Sequence, residues 1–136
     1  MGFNRLGGGG RGEWFGVSEL LPAQRIEVIE DRDAPRPVLG TGSVHHVAWR
    51  VADASAQARV RAQIDFKVTG LTPVRDRNYF QSIYFREPGS VIFEIATDSP
   101  GFLIDEDENA LGTALKLPAQ FEPDRSEIEA ALPGLE

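Results

Sequence analysis

The sequence predicts an α+β fold in which one βαβββ unit forms a curved mixed sheet and a helical tail follows it. Alternating apolar and polar residues predict four strands, at residues 43–51, 71–74, 79–86 and 90–97. A stretch rich in Ala, Gln and Arg predicts a helix over residues 54–68. The turn Glu87-Pro88-Gly89-Ser90 joins the last two strands and favours a hairpin. A chain of 136 residues suits one compact domain.

The predicted helix has a defined start, face and end. Asp53 precedes it and is a suitable N-cap residue. Val60, Ile64 and Val68 recur one helical turn apart, so they form an apolar stripe that would lie on the sheet. Gly70 is expected to stop the helix.

The two ends of the chain differ from this central unit. The run Gly7–Gly10 is typical either of a flexible linker or of a wide hairpin turn, and residues 25–30 alternate like a half-buried strand. The acidic run Asp105–Glu108 favours a short helix near residues 110–115, and residues 126–132 suggest a last amphipathic helix. We expect this tail to be a structural extension that carries no chemistry.

The composition limits the classes of function. A net charge of −7 argues against nucleic acid and anionic membrane as partners. The absence of cysteine excludes disulfides, thiolate metal sites and a cysteine nucleophile. The sequence has no long apolar run and no apolar core of a signal peptide, so a cytoplasmic location is the expectation.

Side chains alternate along a strand, so each strand can be divided into two faces. Val47, Trp49 and Val51 share one face of the first strand with His45. The opposite faces carry a polar set: His46, Arg50, Ser82, Tyr84, Arg86 and Glu94. A plain solvated face is one interpretation, although solvated strands favour Thr, Lys and Ser. A His and a Glu, each within an apolar strand, are what a 2-His-1-carboxylate iron site requires. Because His46 shares the face of Glu94, it is the candidate ligand. His45 lies on the other face and is expected to be a structural or supporting residue.

Several separate blocks carry a resemblance to a known family. Gly42–Arg50, Val74–Gly89 and Phe93–Asp98 look like the last module of the hydroquinone-type ring-cleaving dioxygenases. Leu115–Pro118 and the stretch Glu122–Pro133 resemble the C-terminal extension of that group. The βαβββ order is that of the vicinal-oxygen-chelate superfamily, which includes glyoxalase I, bleomycin-resistance proteins and extradiol dioxygenases. The resemblance extends over about residues 25–136.

The resemblance implies roles for individual residues. It makes His46 and Glu94 iron ligands, and it gives Tyr84 the place of the tyrosine that hydrogen-bonds the substrate or an intermediate. Arg50 or Arg86 would balance the charge of an oxyanion. The classical extradiol enzymes also have a histidine shortly before that tyrosine, where this sequence has none.

The resemblance also divides the chain into modules. Residues 1–38 look like the closing strands of a partial preceding module, residues 39–100 form a complete βαβββ module, and residues 101–136 are the C-terminal helical extension. The second histidine of the iron site would come from sequence that this chain lacks, since its two histidines are adjacent. We therefore expect a homodimer, or association with a chain that carries the missing modules.

Three functions remain open at this point. The first is an Fe(II)-dependent extradiol-type dioxygenase, or its C-terminal part, that acts with O2 on a hydroquinone or catechol; Mn, Ni or Zn are alternative metals. The second is a glyoxalase- or epimerase-like homodimer in which His46 and Glu94 of both chains share a metal. The third is a truncated binding module without catalysis.

Overall fold

The computed structural model describes residues 2–18, 24–35, 38 and 40–133, and this part of the chain has the predicted mixed α+β fold with curved sheets. Its strands are β1 (Asn4–Gly9), β2 (Gly12–Gly16), β3 (Arg25–Ile29), β4 (His46–Val51), β5 (Arg75–Asp76), β6 (Phe80–Arg86) and β7 (Ile92–Pro100). Its α-helices are α1 (Ala54–Ile64) and α2 (Arg125–Ala131). No helix among these residues is long and apolar enough to cross a lipid bilayer.

The strands form two sheets. The first is antiparallel with the order β1-β2-β3, and the second has the order β4-β7-β6-β5. In the second sheet β4 is parallel to β7, whereas β7, β6 and β5 are antiparallel, so the sheet is mixed. The predicted hairpin of β6 and β7 is confirmed, and the crossover through α1 places β4 beside β7.

The prediction of a strand at residues 71–74 is wrong. The next strand in the chain is β5, which begins only at Arg75. The amide of Thr72 donates to the Tyr84 carbonyl at 2.9 Å, but the amide of Tyr84 donates to the Thr72 hydroxyl at 3.1 Å. The side chain thus takes the place of a backbone acceptor, and Pro73 has no amide hydrogen to continue a ladder. Residues 71–74 therefore run alongside β6 but do not form a strand.

Helix α1 begins as predicted and ends earlier. Asp53 is the N-cap, and its carboxylate accepts from the Ala56 amide at 2.7 Å. The helix stops at Ile64 rather than residue 68, because the Lys67 amide turns back to the Ile64 carbonyl at 2.8 Å. Gly70, with φ +70°, lies beyond the end of the helix and is not its stop.

The core lies between α1 and one face of the second sheet. Ile83, Phe85 and Ile95 are buried, and the partly buried residues packed on them are Trp49, Val51, Val60, Ile64, Val68, Leu71 and Phe93. The predicted packing of Val60 and Ile64 on the sheet is therefore confirmed, and Val68 packs there from beyond the end of the helix. The sequence did not indicate that the buried residue of α1 would be Gln57, whose amide nitrogen donates to the carbonyls of Gln81 and Ile95 at 2.9 and 2.8 Å.

The glycine run near the N-terminus belongs to a hairpin and is not a linker. Gly7, Gly8 and Gly9 lie in β1, and the chain turns at Gly10, which has φ +62°. The strand predicted at residues 25–30 is confirmed as β3. This sheet contacts the second one where the Phe3 ring lies edge-on to Trp49, with ring centroids 5.0 Å apart.

The tail is partly helical. A 3₁₀ turn at Glu108–Ala110 replaces the short helix predicted at residues 110–115, because Gly112 adopts φ +75° and ends any helical continuation. The last predicted helix is present as α2, one residue earlier than expected. Further 3₁₀ turns occupy Phe102–Ile104 and Ala119–Asp124.

Candidate metal centre

The register of three strands determines which side chains meet on the face opposite α1. Side chains directly across from each other point to the same face of a sheet. Three rows of neighbours result: His46, Ile92 and Arg86; Ala48, Glu94 and Tyr84; Arg50, Ala96 and Ser82. The six polar residues that the sequence assigned to one face therefore do share a face, which we call the site face.

Glu94 is the centre of the polar contacts on the site face. Its side chain is buried, with 5% of its area exposed. One carboxylate oxygen, Oε1, accepts from the hydroxyls of Ser82 and Tyr84, the latter at 2.9 Å. The other oxygen, Oε2, lies 3.0 Å from His46 Nε2. Two donors from β6 thus hold the carboxylate by one oxygen and leave the second directed toward β4.

The spacing of His46 Nε2 and Glu94 Oε2 fits two ligands of one metal ion. Ligands about 2.1 Å from a metal and at a right angle to each other lie about 3 Å apart, which matches the observed 3.0 Å. Imidazole and carboxylate are suitable donors for divalent iron, manganese and zinc. The His46 side chain is 39% exposed, so a ligand can approach this pair from outside the sheet.

His45 does not lie where the sequence analysis expected it. Strand β4 begins at His46, so the alternation of a strand does not extend to His45, and this side chain is exposed instead of packed with α1. Its Nδ1 lies 2.8 Å from His46 Nδ1. One of these nitrogens donates and the other accepts, so His45 contacts the nitrogen of His46 that is remote from Glu94.

The two arginines of the site face make their hydrogen bonds away from Glu94. Arg50 donates from Nε and Nη2 to the two oxygens of Asp98, at 3.0 and 2.7 Å. This hydrogen bonding lowers the pKa of Asp98 below its usual value and raises that of Arg50. Arg86 donates to the Ser90 carbonyl at 2.8 Å.

The structure adds Arg77, a residue that the sequence analysis did not single out. Its Nη2 lies 3.3 Å from the Tyr84 hydroxyl, and its guanidinium carbon is 5.5 Å from the centre of the Tyr84 ring. Arg77 sits beside Asn78, which has φ +70° in a tight turn between β5 and β6. Arg77 thus donates to the Tyr84 hydroxyl and lies against its ring.

Two cavities border this face. The smaller, of about 300 Å³, is lined by both metal-ligand candidates and by the Arg50–Asp98 pair. The larger, of about 750 Å³, is lined by His45, Arg86 and the β6–β7 turn, and contains neither His46 nor Glu94 in its lining. Within the described ranges, no three His, Asp or Glu side chains stand close enough to hold a metal ion by themselves.

Comparison with known proteins identifies relatives with one kind of activity in their names. The chain is 52% identical over 97 residues to the putative ring-cleaving dioxygenase MhqO of Bacillus subtilis, a match over 71% of this chain and 31% of that protein. It is 38% identical over 115 residues to the chlorohydroquinone/hydroquinone 1,2-dioxygenase of Sphingobium indicum, over 84% of this chain and 36% of that protein. The chain thus spans about a third of the length of these relatives. No model of a protein family matches it.

A solved structure agrees with these sequence matches. The putative dioxygenase from Bacillus subtilis superposes on the whole of this chain and on 43% of its own length, with a TM-score of 0.84 and 41% identity. At this identity the likeness extends beyond the fold to the sequence. The chain is therefore similar to one part of a ring-cleaving dioxygenase.

Proposed function

We propose that this chain is the metal-binding part of a ring-cleaving dioxygenase that acts with O2 on a dihydroxy-aromatic such as a hydroquinone or a catechol. The observation that carries the proposal is the 3.0 Å separation of His46 Nε2 and Glu94 Oε2 on a sheet face open to a cavity. Two relatives support it, one named a putative ring-cleaving dioxygenase and the other a chlorohydroquinone/hydroquinone 1,2-dioxygenase. They also favour it over the glyoxalase-like dimer.

Fe(II) is the metal we propose, with Mn, Ni and Zn as alternatives, and it would be held by His46 and Glu94. A metal held there would supply Lewis-acid polarisation of a substrate oxygen and redox chemistry toward O2. Ser82 and Tyr84 keep the Glu94 carboxylate oriented, and His45 holds the ring of His46 from its other nitrogen. The Tyr84 hydroxyl donates to Glu94 and accepts from Arg77, so its remaining lone pair would accept a hydrogen bond from a substrate hydroxyl.

Two protein ligands are one fewer than a facial triad requires. We propose that a further polypeptide segment, from a second copy or from another module, supplies the third. The chain exposes 10523 Å², whereas a compact monomer of this mass exposes about 7,000 Å². This excess of exposed surface is far larger than the roughly 800 Å² that each partner buries in a standard interface.

The division of the chain at residues 38 and 100 and the cytoplasmic location remain predictions.

Anaerobic titration of the purified chain with Fe(II), followed by iron analysis and light scattering, tests the metal site. We expect less than one tightly held iron per chain and a dimer. His46→Ala and Glu94→Gln should each lower the iron affinity at least a hundredfold, because each removes one of two ligands. Glu27→Gln is the control, since Glu27 is an exposed carboxylate in the other sheet and should change nothing.

Two results would contradict the proposal. One is iron binding that survives both substitutions at the pair. The other is a monomer that holds one iron tightly and loses it in Glu27→Gln, because the third ligand would then come from within this chain. Oxygen uptake with hydroquinone, measured with an electrode, then tests turnover in any preparation that holds iron.

A further inference from the structure

The smaller cavity extends along the site face from the metal-binding pair toward the C-terminal ends of β4 and β7. His46 and Glu94 line one end of it and Arg50 and Asp98 the other. Between these ends the sheet carries the small side chains Ala48 and Ala96, and Phe80 adds an aromatic wall. A volume of about 300 Å³ with this lining suits a single aromatic ring.

The far end of the cavity presents donors and an acceptor side by side. Arg50 uses two of its five N–H donors on Asp98, and each carboxylate oxygen keeps a free lone pair. A phenolic hydroxyl both donates and accepts one hydrogen bond, so it matches this pair with its hydrogen toward Asp98 and its oxygen toward Arg50. The Arg50 side chain is 83% exposed, which leaves it accessible to a ligand.

We propose that the Arg50–Asp98 pair is the subsite for the second hydroxyl group of a 1,4-dihydroxybenzene whose first oxygen lies at His46 and Glu94. This inference rests on the proposed function and specifies its substrate. Glu94 and Asp98 are four residues apart on one strand, which places their Cα atoms about 13 Å from each other. That separation leaves room for the ring between the two ends. A catechol directs both of its adjacent oxygens to the metal end and leaves the pair without a ligand.

The larger cavity does not offer the same arrangement. Arg86, His45 and Asp31 line it, but neither metal-ligand candidate does. A ring bound there would have no oxygen at the metal-binding pair. The smaller cavity alone joins that pair to a second polar end within the described part of the chain.

Ligand binding under argon, with the chain in excess Fe(II), tests the subsite. Hydroquinone, catechol and phenol are titrated in turn while the methyl signals of Ala48 and Ala96 are followed by ¹³C NMR. We expect hydroquinone to bind about tenfold more tightly than phenol, as one hydrogen bond to a charged pair would give. Arg50→Gln and Asp98→Asn should each remove this preference and leave the affinity for phenol unchanged. Catechol, which directs both oxygens to the metal end, should bind these two variants as tightly as it binds the unmodified chain.

The control is Arg5→Gln, which breaks a similar exposed ion pair, Arg5–Glu13 at 3.1 Å, on the first sheet and should keep the preference. The inference is overturned if both variants retain the preference, if hydroquinone leaves the two alanine signals unmoved, or if none of the ligands binds. Iron retention in the same samples separates the two proposals. Iron bound through His46 and Glu94 without a preference that depends on Arg50 and Asp98 removes the subsite and leaves the metal site intact.

Discussion

The two faces of the second sheet are built from the same strands and serve different ends. Toward α1, the register places Trp49, Ile95 and Ile83 side by side, and the two isoleucines are completely buried. On the site face the adjacent row places the buried carboxylate of Glu94 beside Tyr84. One face removes apolar area from water, whereas the other removes a charge from water.

This difference separates stability from function. Burial of an isoleucine side chain stabilises the fold by about 1.5–3 kcal/mol, but burial of an unpaired carboxylate costs free energy unless donors or a cation compensate it. Ser82 and Tyr84 supply donors to Glu94, and a metal ion shared with His46 would supply the cation. We infer that the α1 face sets the stability of the chain and the site face its affinity for ligands.

The largest expected effect is on the α1 face. Ile95→Ala should lower the free energy of unfolding by about 2–5 kcal/mol, because it leaves a cavity between α1 and the sheet. Urea unfolding followed by circular dichroism measures this as a lower midpoint with an unchanged slope. Val47→Ala is the control, since Val47 is 38% exposed and should cost about 1 kcal/mol. Equal losses in the two variants would show that the completely buried position of Ile95 stabilises the fold no more than a partly exposed position on the same face.

A smaller effect is expected from the site face. Ser82→Ala removes one donor from the Glu94 carboxylate and should weaken iron binding by about 10–100-fold, because the ligand is no longer oriented. Isothermal titration under argon measures the loss. Ser55→Ala, an exposed serine of α1 that accepts from Arg59, is the control. Iron affinity unchanged by Ser82→Ala would mean that Glu94 is oriented by other contacts or is not a ligand.

The sequence allowed the α1 face to be predicted well. The i, i+4 spacing of Val60 and Ile64, the alternation along β4 and β6 and the N-cap Asp53 are local patterns that agree with the tertiary packing. The predicted strand at residues 71–74 failed because a threonine side chain replaced a backbone acceptor, which no alternation of apolar residues can indicate. Gln57 was missed because its burial depends on two carbonyls that come from different strands.

The site face could be predicted only as a set of residues. Alternation placed His46, Tyr84 and Glu94 together, but the register between strands decided that Ser82 and Tyr84 share one oxygen of Glu94. The predicted packing of His45 with α1 is wrong because alternation was extended past the first residue of β4, whereas its supporting role stays a prediction. The contact of Arg77 with Tyr84 depends on a tight turn with positive φ at Asn78, so it could not be predicted from the alternation of residues along the strands.

The smallest predicted effect concerns the contact of the tail with Tyr79, just before β6 of the second sheet. Tyr79 donates to Asp105 at 3.0 Å, and its ring lies 4.9 Å from that of Phe102. Burial, followed by the hydrogen bond to Asp105, raises the pKa of Tyr79 above its usual value of 10.0. Because the folded state favours the protonated phenol, this contact stabilises fully below about pH 10. The stabilisation is lost as the pH rises through the raised pKa.

Alkaline titration of the Tyr84→Phe variant isolates this group, since the chain has two tyrosines. We expect tyrosinate absorbance to appear above the range of free tyrosine, and limited proteolysis after residue 101 to become faster over the same range, because the tyrosinate and the Asp105 carboxylate then repel each other. The metal-free site face should be unaffected, so the ¹³C signals of Ala48 and Ala96 serve as the internal control. A tyrosine that titrates at its ordinary pH, with no change in cleavage of the tail, would show that the tail is held by Phe102 packing and not by the hydrogen bond.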